Sequence, residues 1–416
     1  VNKPALLRIV CISLFCGVTA IDSPGQILTT LHYFDRFHGE GRDPNAALVK
    51  ATDGDFYGTT QYGGSSGNCF GGCGSVFKIS RHGTLATLHS FSGADGLYPY
   101  AGLVQARDGN FYGTTADGGP YDNCFGITCG TVFKITPAGT LTTLYSFCRQ
   151  SGCPDGFQPL AGLVQAKDGN FYGTTAGGGS SGNCYLGCGT VFKITPAGVL
   201  TTLHSFDNND GANPSASLVH GSDGNFYGTT EYGEANNGGT VFKITPAGTL
   251  TTLYSFCSQP GCSDGYLPLA ALVQARDGNF YGTTLIGGAS GDGTVFKITP
   301  RGALTTLHSF DYNDGVALYA GLVQASDGDL YGTTQAGGAD GVGTLFKIST
   351  TGTLTTLHSF KGTDGIYPYG GLVQGTDRNF YGTTGYGGGS SSDGTVFRLT
   401  TRRTCVVCPP LLSEGK

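Results

Sequence analysis

Four sets of side chains in this 416-residue sequence are of types that do chemistry. Twelve cysteines fall in close pairs: Cys69 with Cys73, Cys124 with Cys129, Cys148 with Cys153, Cys184 with Cys188, Cys257 with Cys262, and Cys405 with Cys408. Close pairs form local disulfides in an oxidising compartment or supply half-sites for zinc, and with no His at a ligand-like spacing disulfides are expected. Five histidines, His32, His89, His204, His308 and His358, share one local context, with Tyr145 and Tyr254 in the equivalent slots. Spread evenly along the chain, they make no single active site and are expected to be structural. Asp95, Asp155, Asp210, Asp264, Asp314 and Asp364 each precede a Gly; they could ring a channel and bind calcium, while turn formation explains them more simply. The fourth set breaks the pattern. Lys50 and His220 stand where matching stretches have Gln105, Gln165, Gln274, Gln324 and Gln374, and Glu231 and Glu234 lie in "EYGEANNGG", a segment unlike its counterparts. An acid–base pair of His220 with Glu231 is not expected, because a strand of about five residues at roughly 3.3 Å each holds them about 17 Å apart.

What positions these residues is a repeat. "DGNFYGTT" occurs at 108 to 115 and, identically or with small changes, six more times; its tyrosines, Tyr57, Tyr112, Tyr172, Tyr227, Tyr281, Tyr331 and Tyr381, are 50 to 60 residues apart. Periods of this size belong to solenoids and propellers. One unit, from residue 318, reads "LYAGLVQA", "DLYGTT", "GTLFKIS" and "TLTTLHSF", four β-rich segments separated by Gly, Asp and Thr-rich turns, the content of a four-stranded antiparallel blade. An orphan fourth strand, "QILTTLHYF" at 26 to 34, precedes the first full unit, and the seventh unit lacks its fourth strand. The expected fold is therefore all-β, a seven-bladed β-propeller closed by the N-terminal strand completing the last blade. Within "TVFKIT" the alternation makes Phe77, Phe133, Phe192, Phe242, Phe296, Phe346 and Phe397 core. In "TLTTLYSF" Leu141, Leu144 and Phe147 are spaced by three, which a β-bulge would explain.

Composition agrees with turn-rich β-structure: 73 Gly, 12% charged residues, and neither Trp nor Met. Lys3 and Arg8, the apolar "IVCISLFCGV" and the small residues up to Ala20 read as a signal peptide over 1 to 20, followed by a propeller over 21 to 400 and a Cys-containing tail over 401 to 416. No segment reads as transmembrane, and the expected location is secreted, periplasmic or cell surface. Formal charge is −6, which excludes nucleic acid as an expected partner. No phosphate-binding Gly loop, Ser nucleophile elbow or metalloprotease helix is present.

The set "GLVQARDGNFYGTT", "GTVFKITPAGTLTTLYSF" and "DGxxPxAGL" resembles the tandem Gloeobacter and Verrucomicrobia repeats, also called HAF extracellular repeats, over residues 26 to 400. That resemblance implies an exported bacterial protein of undefined biochemical role, often with a C-terminal anchor; "TTRRTCVVCPPLLSEGK" lacks the apolar tail such an anchor would show. A more distant likeness to streptogramin lyases, propellers that use a His and acidic residues with magnesium, rests on "DGN" and "ITPAG" turns. The Trp and Glu typical of those lyases are absent here, and no catalytic His carries over.

The length variation and most Cys pairs fall in loops between strands two and three and between strand four and the next blade, which emerge on one face. Stapled loops on a rigid scaffold make a binding surface, and Tyr62, Tyr121, Phe125, Tyr185, Tyr232, Tyr266 and Tyr386 place aromatic rings there. The expected function is a binding module for an extracellular carbohydrate or protein, acting as a monomer without a cofactor other than calcium. Lyase-type catalysis and a structural role in an extracellular matrix are the alternatives.

Overall fold

Each copy of the repeat becomes one four-stranded antiparallel sheet, and seven such sheets form a closed β-propeller in a computed structural model that describes residues 26–121, 129–234 and 236–400. Blade 1 consists of Val49–Lys50, Phe56–Thr60, Ser75–Ile79 and Leu85–Ser90, from channel to rim. Blade 7 combines Val373–Gln374, Phe380–Thr384 and Thr395–Thr400 with the N-terminal strand Ile27–Tyr33. Thr395 pairs with Tyr33 and Thr400 with Ile27, so hydrogen bonds between the two ends close the ring as the orphan strand predicts. Among the described residues helical structure is confined to two 3₁₀ turns, Arg36–His38 and Pro260–Cys262, and no helix is long and apolar enough to cross a membrane. The predicted signal peptide and C-terminal tail, with Cys405 and Cys408, lie outside the described residues.

The "DGNFYGTT" motif is a set of instructions for joining blades. Successive strand residues point to opposite faces, so in "FY" the Phe meets the preceding blade and the Tyr the following one. Tyr57 stacks on Phe111 with ring centroids 4.0 Å apart, Tyr112 on Phe171 at 4.1 Å and Tyr172 on Phe226 at 4.0 Å; Tyr381 meets Phe56 at 4.2 Å across the closing seam. The Tyr112 hydroxyl donates to Asp108 of its own "DGN" turn (2.9 Å), whose other carboxylate oxygen accepts the Asn110 amide N–H. Gly113 has no side chain because a Cβ would sit 2.6 Å from the Phe133 ring of the next strand. Thr114 donates to the Ala161 carbonyl of blade 3, and Thr115 bonds Thr131 beside it. All seven "FYGTT" strands, with Leu330 replacing Phe in blade 6, are buried throughout.

The third-strand phenylalanines are fully buried as predicted, and the phenylalanine ending each fourth strand meets one of them edge-on across the blade boundary, as Phe91 does with Phe133 at 5.3 Å. The irregular spacing in the fourth strand is a β-bulge: Val132 pairs with Tyr145 and Phe133 with Thr143, so Leu144 has no opposite residue. The same shift occurs in the other six blades. It serves docking. Gly139, in the turn of blade 2 at φ +92°, approaches the carbonyl of the bulged Leu88 of blade 1 so closely that a Cβ would lie 2.6 Å from it.

Candidate functional site

Two faces of the ring carry different residues. On the face of the short "DGN" turns, the Gln that ends each first strand reaches the turn of the preceding blade. The Thr52 N–H donates to Gln105 Oε1 (2.8 Å), Arg107 N–H to Gln165 (3.0 Å), Ser222 N–H to Gln274 (2.8 Å), Arg276 N–H to Gln324 (2.9 Å) and Ser326 N–H to Gln374 (2.9 Å). Each Gln also donates to a carbonyl of its own turn, such as that of Gly109 or Gly169. Seven boundaries exist and five are clasped in this way. The other two are where Lys50 and His220 replace Gln, between blades 7 and 1 and between blades 3 and 4. His220 lays its ring against Phe226 instead, with centroids 5.0 Å apart. His220 pairs with Phe226 at one end of the second strand while Glu231 follows Thr230 at the other, so the two are held apart as the strand length predicts.

The His and Asp series, separate in sequence, prove to be one device. His89 Nε2 lies 2.8 Å from Asp95, His204 2.7 Å from Asp210, His308 2.7 Å from Asp314 and His358 2.9 Å from Asp364; the hydroxyls of Tyr145 and Tyr254 donate to Asp155 and Asp264. His32 meets Glu40 at 2.9 Å in the closing blade. The carboxylates thus face the outer strands of their own blades and not the channel. Burial pushes Asp95 and Asp210 up, and hydrogen bonds from His89 or His204 and from backbone N–H groups more than offset it. Among the described residues no three His, Cys, Asp or Glu converge as metal ligands.

On the opposite face every blade enters the channel through the same strained step. The residue before the proline that recurs at this point of the repeat, Asp43, Tyr98, Gln158, Asn213, Leu267 or Tyr367, has φ between +52° and +58°, and Ala317, where Leu318 replaces Pro, has +59°. Hydrogen bonds on both sides hold it: Tyr98 N–H donates to the Cys73 carbonyl, and the Tyr98 carbonyl accepts from Ala116 N–H. Two residues further on, the chain turns down into the channel and presents one side chain at its mouth. These are Asn45, Tyr100, Leu160, Ser215, Leu269, Tyr319 and Tyr369, and with Glu231 they line a cavity of about 400 Å³ that opens into the channel below.

The mouth is lopsided. Tyr319, Tyr369, Asn45 and Tyr100 form a continuous aromatic and amide arc over blades 6, 7, 1 and 2, opposite Leu160, Ser215 and Leu269 of blades 3 to 5. Tyr319 and Tyr369 meet edge-on at 5.4 Å, and Gln335 donates to the Tyr369 hydroxyl at 2.6 Å. Asn45 donates to Gln61 at 2.8 Å, and its own buried carbonyl oxygen accepts from no protein group. Among the described residues Glu231 is the one charged side chain of the lining; burial pushes its carboxyl up, opposed by a hydrogen bond with the Tyr232 hydroxyl. Behind the blade 7 and 1 side of the arc, Asp43 is 2% exposed and burial pushes it up to about 6, opposed chiefly by Arg42.

The aromatic residues expected on this face divide into groups. Tyr62, Tyr232, Tyr266 and Tyr386 all lie in the isolated bridges that tie the incoming loop to the start of the outgoing one; Tyr62, Tyr232 and Tyr266 are partly buried and Tyr386 is exposed. Tyr62 packs edge-on to Tyr98 at 4.8 Å beneath Arg42. Tyr121 is partly buried, Tyr185 stands 96% exposed on the rim, and Phe125 lies outside the described residues. Glu234 belongs to a loop turn at φ +62° and does not join Glu231 in the mouth. Lys50 lines the channel. Disulfides join Cys69 to Cys73, Cys148 to Cys153, Cys184 to Cys188 and Cys257 to Cys262 on this same face; Cys129 is also disulfide-bonded, and Cys124 lies outside the described residues.

Sequence inspection missed the tyrosines of the mouth because they sit in "YPYAGL" and "ALYAGL", short segments that read as core. The signal was available as internal divergence. Around the invariant-looking strands, the position of Asn45 reads N, Y, L, S, L, Y, Y through the seven copies, and that of Glu231 reads Q, A, A, E, L, Q, G.

Solved structures are similar to this chain at low identity. The extracellular domain of a proposed hybrid two-component system from B. thetaiotaomicron is 12% identical with a TM-score of 0.54; the match covers 90% of this chain and 41% of that one, so the chain spans well under half of that structure. The periplasmic gluconolactonase of Pseudomonas aeruginosa is 17% identical over 85% of this chain and 95% of its own, with a TM-score of 0.48. Such identities show the fold alone. No curated protein matches the chain in sequence. The model of the Gloeobacter/Verrucomicrobia repeat matches residues 17–152, 70–276 and 261–408, nearly end to end, and the chain belongs to that repeat family.

Proposed function

We propose that this protein is an exported binding module that takes a carbohydrate at the channel mouth, with the stapled loops and the exposed Tyr185 extending the contact surface. The observation that carries this is the convergence of divergent positions. Residues that join blades are nearly identical in seven copies, whereas those at the mouth differ and together give three tyrosines, one amide, one serine hydroxyl and one carboxyl around a cavity of about 400 Å³. Sugar-binding sites combine aromatic faces for stacking with hydroxyl and amide partners, in pockets of roughly 300 to 1,000 Å³. A protein ligand would use the wider face, with Tyr185 as anchor. The disulfides favour an extracellular setting, and the module acts as a monomer.

The test is a glycan array on the oxidised protein, with and without calcium, followed by a Tyr100→Ala, Tyr319→Ala, Tyr369→Ala triple variant. Binding lost at least tenfold with the blade transition intact is the expected result. Undiminished binding by the triple variant would place the ligand elsewhere.

A further inference from the structure

We infer that the sugar taken at the channel mouth carries a free, positively charged amine, recognised by Glu231 on one side and by the tyrosine arc on the other. This rests on the mouth being a carbohydrate site, as proposed above, and adds the chemistry of its ligand. Of the seven positions that follow the "TT" of the second strand, only that of blade 4 holds an acid; the others are Gln61, Ala116, Ala176, Leu285, Gln335 and Gly385. Glu231 alone is thereby aimed into the cavity lining. Its carboxyl is partly withdrawn from water, is bonded by the Tyr232 hydroxyl, and shares the lining with no Lys, Arg or His. A carboxylate in that position has no counter-charge among the described residues of the lining, and an ammonium group compensates it best. Across the cavity, Tyr100, Tyr319 and Tyr369 line the wall with electron-rich rings, a residue type that attracts cations and stacks on the apolar face of a sugar ring. An anionic sugar meets no cation among the described residues of this lining, and a neutral one leaves the Glu231 charge uncompensated.

The measurement is isothermal titration of the oxidised full chain with three disaccharide probes of matched size: a glucosamine disaccharide, its N-acetylated form and the glucose equivalent, at a pH where the free amine is protonated. The expected result is at least tenfold tighter binding of the free amine over both neutral probes, with that preference falling to near unity in Glu231→Gln. Equal or tighter binding of the neutral probes by wild type would overturn the charge inference and leave the mouth as a sugar site. A preference that survives Glu231→Gln would overturn the role of Glu231. Binding of none of the three, by a protein that retains its thermal transition, would overturn the inference, and the reading of the mouth falls only if the tyrosine triple variant also keeps any array ligand. Calorimetric unfolding of Glu231→Gln, expected within about 1 °C of wild type, confirms that the variant is folded.

Discussion

At the scale of residues, small departures from the repeat have definable costs. Lys50 and His220 each remove a Gln that would donate to its own turn and accept from the turn of the neighbouring blade. A net hydrogen bond contributes about 0.5 to 1.5 kcal/mol. Lys50→Gln and His220→Gln should therefore each stabilise the protein by about 1 kcal/mol, read as a raised midpoint in guanidinium unfolding; unchanged or lower midpoints would show that these boundaries are too wide to be clasped. The carboxylates give a pH signature of two signs. Burial pushes Asp108 and Asp168 up, but hydrogen bonds from the following Asn, the motif Tyr and a Lys outweigh it and hold both down to about 2, from an ordinary value of 3.8. Their stabilisation is complete above about pH 4 and is lost as pH falls from there towards 2. Asp43 is opposite: its folded value of about 6 means that stability rises as pH falls from about 7 towards 4. Replacement of Asp43 by Asn should abolish that rise, measured as the difference in unfolding midpoint between wild type and variant across pH 4 to 7.

At the scale of elements, the second strand is the most constrained piece of the molecule. Each of its five residues has a task set by a neighbour: two rings stacked on two different blades, a glycine under a phenylalanine, and two threonines bonded across a boundary or to the adjoining strand. A methyl group at residue 113 has nowhere to go, since Phe133 and Leu103 both approach within 3 Å of it. Overpacking of a core costs about 1 to 3 kcal/mol. Gly113→Ala should lose stability of that order, whereas Gly109→Ala, at φ +82° with open space around its Cβ position, should lose only the smaller backbone strain of about 1 kcal/mol. Comparison of the two midpoints separates close approach from conformational strain. The loops on the opposite face vary in length, and short disulfides staple several of them.

At the scale of the whole molecule, seven equivalent interfaces make a ring whose strength depends on closure. The pairing of Ile27–Tyr33 with Thr395–Thr400 is what joins the ends, supported by Arg36, whose backbone N–H and side chain both donate to the buried Asp393. Removal of residues 21 to 34 should leave blade 7 with a bare third strand, lower the unfolding midpoint by several degrees and promote self-association through the exposed edge. Size-exclusion chromatography with scattering checks this, and a compact monomer of wild-type stability would refute closure by this strand.

Most of the architecture was legible in the chain before any coordinates. The number of blades, the closing strand, the core phenylalanines, the bulge and the face bearing the cysteines all follow from local pattern repeated seven times, because strand alternation and turn chemistry act over a few residues. The seven-fold repetition multiplied a weak local signal. Tertiary structure alone decided what lies beside what. It joined the His series to the Asp series, which turn geometry brings together six to ten residues apart, and it showed that the glutamines replaced by Lys50 and His220 are clasps between blades. It also gathered one side chain from each blade, about fifty residues apart in sequence, with Glu231 at a single mouth. Convergence of that kind depends on how blades are arranged about an axis, and no local pattern in a sequence encodes the position of an axis.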